Sequence, residues 1–293
     1  MNYTLENDKL NVRFSSIGGT MTSVQDKTGL EYLWQGDKAY WSGQAPILFP
    51  ICGSLRNDEA AIGKGRRTHM PRHGIVRKRE FQFEVQTKDS ITFSIASDAA
   101  SLEAFPYPFK LYARYELLGN SIRVTYTVEN TGSEVMPFFV GGHPGFNCPL
   151  VPGEDYADYR IEFEQPETCD VPTPVTETGL IDVAHRQPFL NGAATLALRH
   201  ELFETDAVIL DALRSRKLRL FSSVSGKGVE LDYAEFPYLI LWASANHGNF
   251  VAIEPWTGLS TCSDEGNVFE EKRNVQTVEA GKEKAFSFII SVF

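Results

Sequence analysis

Nowhere in the 293 residues do about 18 apolar side chains run together, the length a membrane-crossing helix needs. Excess positive charge is missing as well: 28 Lys and Arg stand against 38 Asp and Glu, a net charge of −10. Such a chain lacks the positive surface that phosphate backbones require, so nucleic acid is not an expected partner, and a membrane surface is not one either. Cysteine is sparse. Cys52, Cys148, Cys169 and Cys262 are far apart and form no CxxC pair, whereas zinc and redox motifs use close spacing. They read as reduced, mostly buried thiols. The start, "MNYTLENDKLNVRFSS", has neither the basic opening nor the apolar stretch of a signal peptide. The expectation is a soluble, cytoplasmic protein.

Several chemical signatures are also absent. Among the six histidines (His69, His73, His143, His185, His200 and His247) there is no HxH or HxxxH pair, so no metal site is expected. No GxSxG elbow is present and no cysteine has a histidine beside it, which leaves nucleophilic catalysis without support. Phosphate-cradling GxxxxGK[ST] and GxGxxG loops are missing. Helical periodicity is scarce, limited to short pieces around "SDAASLEAF" and "LRHELFETD".

What dominates instead is alternation with period two. "YTLENDKLNVRFS" predicts two strands around Asn7-Asp8-Lys9, "REFQFEVQT" and "ITFSIAS" two more around Lys88-Asp89-Ser90, and "FKLYARYELLG" and "SIRVTYTVEN" a pair joined at Gly119-Asn120. "KLRLFSS", "GVELDY", "YLILWAS", "FVAIEPW" and "AFSFIISVF" continue the pattern to the C-terminus. Many short strands with regular turns predict an all-β, large antiparallel sandwich with little helix. Residues 149–192, rich in Pro, Glu, Thr and Asp, are the least regular stretch and read as a long excursion rather than a linker. No compositional break divides residues 1–293, so one domain is expected, and 42% hydrophobic residues suffice for a sizeable core.

Functional groups on a β scaffold tend to sit in its loops. His73 and His143 each lie beside glycine at a predicted strand edge, while His185, His200 and His247 have polar surroundings and read as surface residues. Glu254 ends a strongly apolar strand and shares the facing of Ala252. Burial there without a cation would raise its pKa towards a useful general-base value. Asp206, before the apolar "AVIL", reads as a turn acid. Trp242, Trp256, Phe146 and Tyr238 lie near these candidates, and such rings serve equally as core or as platforms for sugar C–H faces. "GKGRRTHMPRHGIVRKR", residues 63–79, is a basic cluster in an acidic chain, read as a solvated loop or as an attractor of an anionic substrate. None of this names a reaction.

In order along the chain come "FPICGSLRND", "MPRHGIVR", "GGHPGFN", "LFETDAVIL" and "VAIEPWTG". Together they resemble the aldose 1-epimerase (galactose mutarotase-like) family, most closely its LacX-type branch, and the resemblance runs over nearly the whole chain. It implies a single-domain β-supersandwich that interconverts the α and β anomers of a free aldose without a cofactor. It further implies that Glu254 takes the proton from the anomeric hydroxyl and His143 protonates the ring oxygen. His73, Arg56 and Asp206 are then expected to bind the sugar, with Trp256 beside them. Opening a hemiacetal requires proton removal at one oxygen and delivery at another, and a carboxylate and an imidazole can share that work near neutral pH. The glycines around His143 would let the backbone approach the sugar, with Pro144 stiffening the turn.

The contexts "PRHGIVR", "HPGFN" and "EPWTG" are those of the LacX-type and hexose-phosphate-mutarotase-like branches, so galactose or glucose specificity does not follow. Arg56, Arg72 and Arg77 bracket His73, which makes a phosphorylated hexose the alternative to a neutral aldose. A non-catalytic sugar-binding sandwich and a carbohydrate hydrolase using Asp206 and Glu254 are the competing readings, the latter leaving the histidines without a role. The expected partner is a small sugar, and the expected assembly a monomer or homodimer.

Overall fold

A computed structural model describes residues 1–293. The predicted hairpins are present. Asn2–Glu6 pairs with Leu10–Ser15 across a turn in which the Asn7 side-chain oxygen accepts from the amides of Lys9 and Leu10, both at 2.8 Å. Phe109–Leu118 pairs with Ser121–Asn130 across Gly119, whose φ of 64° suits a tight hairpin. Burial along these two strands alternates strictly, so one face packs and the other meets solvent.

Two large antiparallel sheets carry the architecture. The nine-stranded sheet runs in the order 180–197, 159–175, 217–222, 228–232, 283–292, 121–130, 109–118, 90–96 and 82–86. The six-stranded sheet runs 208–210, 238–242, 250–256, 141–142 and 47–48, with 145–147 also pairing to 250–256. The sheets meet where Gly142 approaches Phe288 and Tyr126: a Cβ on Gly142 would lie 2.9 Å from the Phe288 ring and 3.3 Å from the Tyr126 hydroxyl. One continuous apolar cluster of 75 buried residues fills the interior. Of the two helical pieces, Ala99–Ala104 is an α-helix started by an Asp98–Ser101 capping box, and His200–Phe203 is a single 3-10 turn. No helix is long and apolar enough to cross a membrane. All four cysteines are buried and free.

Residues 149–192 depart from the expectation of irregularity. Tyr159–Val175 and Leu180–Ala197 form a long antiparallel ribbon whose register shifts four times, between 162 and 167, 167 and 168, 169 and 170, and 172 and 173. Each shift inserts unpaired residues and flips the side-chain phase, which erases the period-two pattern from the sequence and bends the ribbon. Its tip packs on the loop that follows the strand Phe250–Trp256, where the Ile181 amide donates to the Thr261 carbonyl at 3.2 Å and the Ser263 amide to the Ile181 carbonyl at 2.7 Å.

Candidate active site

The strand Phe250–Trp256 is central in its sheet and every one of its residues is buried. Strand alternation sends Val251 and Ile253 into the apolar core and turns Glu254 and Trp256 the other way. Ile240 and Trp242, paired opposite Glu254 and Ala252, share that outward face, as does Ile209 opposite Ile240. A cavity of about 780 Å³, counted out to its mouth, sits on this face and is roofed by the ribbon tip through Pro174 and Gly179–Ile181.

The same alternation delivers His143. Gly141 pairs with Trp256 and faces the cavity side, Gly142 faces the core, and His143 faces the cavity again. The glycines of this stretch have a steric reason within the protein itself. They make room for rings: a Cβ on Gly141 would lie 2.9 Å from the Trp256 indole, and one on Gly145 2.7 Å from that of Trp41. Trp41 stacks on the His143 imidazole at 4.7 Å and 26°, and Trp242 meets it edge-on at 5.7 Å. Trp41 escaped the sequence reading because it lies in the polar loop "GDKAYWSG", and a tryptophan in such a loop was the one available signal.

His143 Nε2 lies 3.3 Å from Glu254 Oε2, with both side chains almost wholly buried. Burial pushes the Glu254 carboxyl well above the usual carboxylate range and pushes His143 down to about 3. Burial favours the uncharged form of each group, a carboxylic acid beside a neutral imidazole. Six buried side-chain polar atoms in the molecule find no hydrogen-bond partner, and three are here: His143 Nδ1, Glu254 Oε2 and Trp256 Nε1.

His73 is the third buried polar group, its ring 5.6 Å from that of His143 and 5.5 Å from that of Trp256. Its φ of 70° is tolerated by His more readily than by most residues. The Gly53 amide donates to His73 Nδ1 at 3.2 Å. That bond leaves the proton of the neutral ring on Nε2, making it a donor. Burial, reinforced by His143 and the nearby arginines, holds its pKa well below the ordinary value, so it stays neutral. Asp206 lines the cavity with one oxygen accepting from the Ala207 amide at 2.8 Å.

Of the residues singled out in the sequence, the fold brings Glu254, His143, His73, Asp206 and Trp256 to one cavity. Arg56 is not among its lining residues. It lies in the 3-10 turn Arg56–Asp58, and its guanidinium is engaged by the main-chain carbonyls of Glu265 at 3.1 Å and Cys262 at 3.4 Å. Arg72 and Arg77 line the cavity in its stead. Phe146 and Tyr238 are core and near-core residues outside the lining. No group of three or more His, Cys, Asp or Glu side chains is arranged to hold a metal ion.

The chain is similar to known proteins over nearly its whole length. The family model described as aldose 1-epimerase matches residues 1–272. The plasmid-encoded protein LacX of Lactococcus lactis subsp. lactis is 50% identical over 283 residues, covering 95% of each chain. The crystal structure of a galactose mutarotase related enzyme from Lactobacillus acidophilus superposes with a TM-score of 0.93 at 32% identity, over 100% of this chain and 97% of that one. A galactose mutarotase-like protein from Lactobacillus casei gives 0.91 at 29% identity over the whole of both chains. By sequence, by its β-sandwich and by near-complete coverage, the chain belongs to the aldose 1-epimerase family.

Proposed function

We propose that the cavity binds an aldose and interconverts its anomers, with Glu254 and His143 exchanging one proton. The observation that supports this most directly is the 3.3 Å approach of His143 Nε2 to Glu254 Oε2 inside a buried site. Ring opening removes the proton from O1 and delivers one to O5. If Glu254 starts as carboxylate and His143 as imidazolium, opening leaves a carboxylic acid, a neutral imidazole and an open-chain aldehyde. Closure on the other face of C1 reverses both transfers, so no proton leaves the site. The burial that favours neutral forms makes carboxylic acid plus neutral imidazole the resting arrangement. The active arrangement differs from it by one proton passed between adjacent atoms. His73, as an Nε2–H donor, and Asp206, as an acceptor, are suited to holding sugar oxygens, while Trp41, Trp242 and Trp256 offer ring faces to the C–H surface.

Anomer exchange is measured at equilibrium by exchange NMR on glucose and galactose. The protein should accelerate exchange, and Glu254→Gln and His143→Asn should each remove roughly 10²–10⁴-fold of that acceleration. A folded protein that accelerates no aldose or aldose derivative refutes the reading.

A further inference from the structure

An indole nitrogen is a donor only, and the four tryptophans use theirs differently. Trp34 Nε1 donates to the Trp41 carbonyl at 2.7 Å. Trp256 is the one whose Nε1 is buried without an acceptor. Two residues back on the same strand, and on the same face, Glu254 Oε2 is buried without a donor. Strand geometry sets the two backbones ~6.5–7 Å apart, a span that an indole and a glutamate side chain can bridge. The Trp256 ring is held in place: His73 meets it edge-on at 5.5 Å and 74°, and residue 141 must be glycine beside it. A Cβ there would lie 2.9 Å from Trp256 Cδ1, the carbon bonded to Nε1. Both unmet atoms are sealed off, so a sugar in the cavity is the partner of neither. Glu254 Oε1 is not sealed in this way and remains for the anomeric hydroxyl.

We propose that Trp256 is a positioning residue whose indole N–H closes on Glu254 Oε2 when the shared proton moves to His143, holding the glutamate as the carboxylate that ring opening needs. Its effect on turnover rests on the anomer-exchange reading above; the hydrogen bond itself does not. In the resting arrangement Glu254 carries the proton, and a neutral carboxyl attracts the indole weakly. Transfer from Oε2 to His143 Nε2 leaves a carboxylate, which accepts the N–H in a charge-assisted bond, shorter and about twice as strong as a neutral one. Hydrogen bonds of this kind are often long before the reacting state forms and tighten in it. Once Oε1 has taken the O1 proton the charge is gone and the bond relaxes. The neighbours of Glu254 agree with this role. Burial opposes its ionisation most; the Trp256 N–H is the next influence and favours the carboxylate; Asp206 opposes it, and Arg72 favours it. The Cys52 thiol, also close, is held neutral by its burial. Because Trp256 acts on the proton and not on the sugar, it governs kcat and leaves KM nearly alone.

The test replaces Trp256 by 3-benzothienylalanine, which puts sulfur where the N–H stood and keeps the shape of the ring, with Trp256→Phe as the encoded counterpart. Exchange NMR on glucose, galactose and their 6-phosphates gives kcat and KM, and carbon NMR of labelled glutamate carboxyls follows the Glu254 titration. In the wild type, the indole proton of Trp256 is followed through the same pH range, which covers the case of a variant that does not fold. The expected result is a kcat lowered roughly 10–100-fold, the worth of a hydrogen bond to a charged group, with KM changed less than about 3-fold. The Glu254 titration should move up by about one to two pH units, the same factor, and the wild-type indole proton should shift downfield as Glu254 ionises. A raised KM with kcat intact would assign the N–H to the sugar and overturn the proposal. So would an unchanged Glu254 titration beside an indole proton indifferent to it, with wild-type exchange leaving the anomer reading standing. No exchange by the wild type with any of these sugars would overturn that reading instead, while a moved titration and a shifted indole proton would still support the Trp256–Glu254 bond.

Discussion

The single proton shared by Glu254 and His143 makes a thermodynamic prediction that needs no substrate. Consider the window from pH 4.5 to 6.5. In the unfolded chain an ordinary His, of pKa about 6.5, is protonated there, and an ordinary Glu, of pKa about 4.3, is not. The unfolded pair therefore binds one proton. The folded pair also binds one, since burial raises the Glu254 carboxyl and pushes His143 down to about 3. Stability follows the difference in bound protons between unfolded and native states, so in the wild type these two residues contribute no slope. In Glu254→Gln the unfolded state keeps its imidazolium while the folded state holds a neutral His143. The unfolded state then binds one proton more, and stability rises with pH. In His143→Gln the unfolded glutamate is ionised while the folded Glu254 keeps its proton, so stability falls as pH rises. One proton is worth about 1.4 kcal/mol per pH unit, and the two units between pH 4.5 and 6.5 give changes of about 2–3 kcal/mol in opposite directions. Urea unfolding at several pH values, with the wild-type profile subtracted, removes contributions such as that of His73, which all three proteins share. Because the count concerns protons, it holds whichever of the two residues carries the shared one. Parallel pH profiles for the two variants would refute the one-proton pair, and with it the resting arrangement proposed for catalysis.

Four further substitutions probe the surrounding frame. Trp41→Ala removes the ring stacked on His143 at 4.7 Å and admits water to the imidazole; the His143 pKa should move up from about 3, read by histidine NMR titration, and an unchanged titration would show that Trp41 does not shield it. Gly74→Ala forces a Cβ at φ 77° to within 2.1 Å of the Phe49 carbonyl oxygen and should cost roughly 2–3 kcal/mol. Gly119→Ala, with φ 64° but nothing within 4 Å, should cost only about 1 kcal/mol by the same unfolding measurement, and equal losses would mean that the clash is relieved. Lys272→Met strips the buried Glu265 of its 3.1 Å partner and leaves it Arg273 alone; the expected loss is about 3 kcal/mol in chemical denaturation, and a neutral result would show that Arg273 suffices.

Much of the fold was readable in advance because strand alternation is local. Any segment that buries one face writes period two into its own sequence, as Phe109–Leu118 and Ser121–Asn130 do. A glutamate at the end of the apolar run "FVAIEPW" was visible for the same reason, since its surroundings are stated by its neighbours. The ribbon 159–197 was not readable, because its four register shifts reverse the phase of alternation within a few residues. Arg56 was misplaced because a guanidinium answers to whatever acceptor the fold presents, and here two main-chain carbonyls took it.

The sequence by itself determined that strands dominate, that an acid stands in an apolar strand, and that five arginines gather in an acidic chain. Tertiary structure alone decided that Glu254 and His143 lie 3.3 Å apart, through the pairing of Gly141 with Trp256, and that the indole of Trp41 covers the imidazole. It also decided which arginines found carboxylates and which two were left facing the cavity. The physical reason is common to all of these. Composition and periodicity are properties of a segment, whereas strand register, burial and charge pairing belong to contacts between segments distant in the chain. The chemistry of this site depends on the latter: the same glutamate and histidine exposed to water would each keep an ordinary pKa and would share no proton.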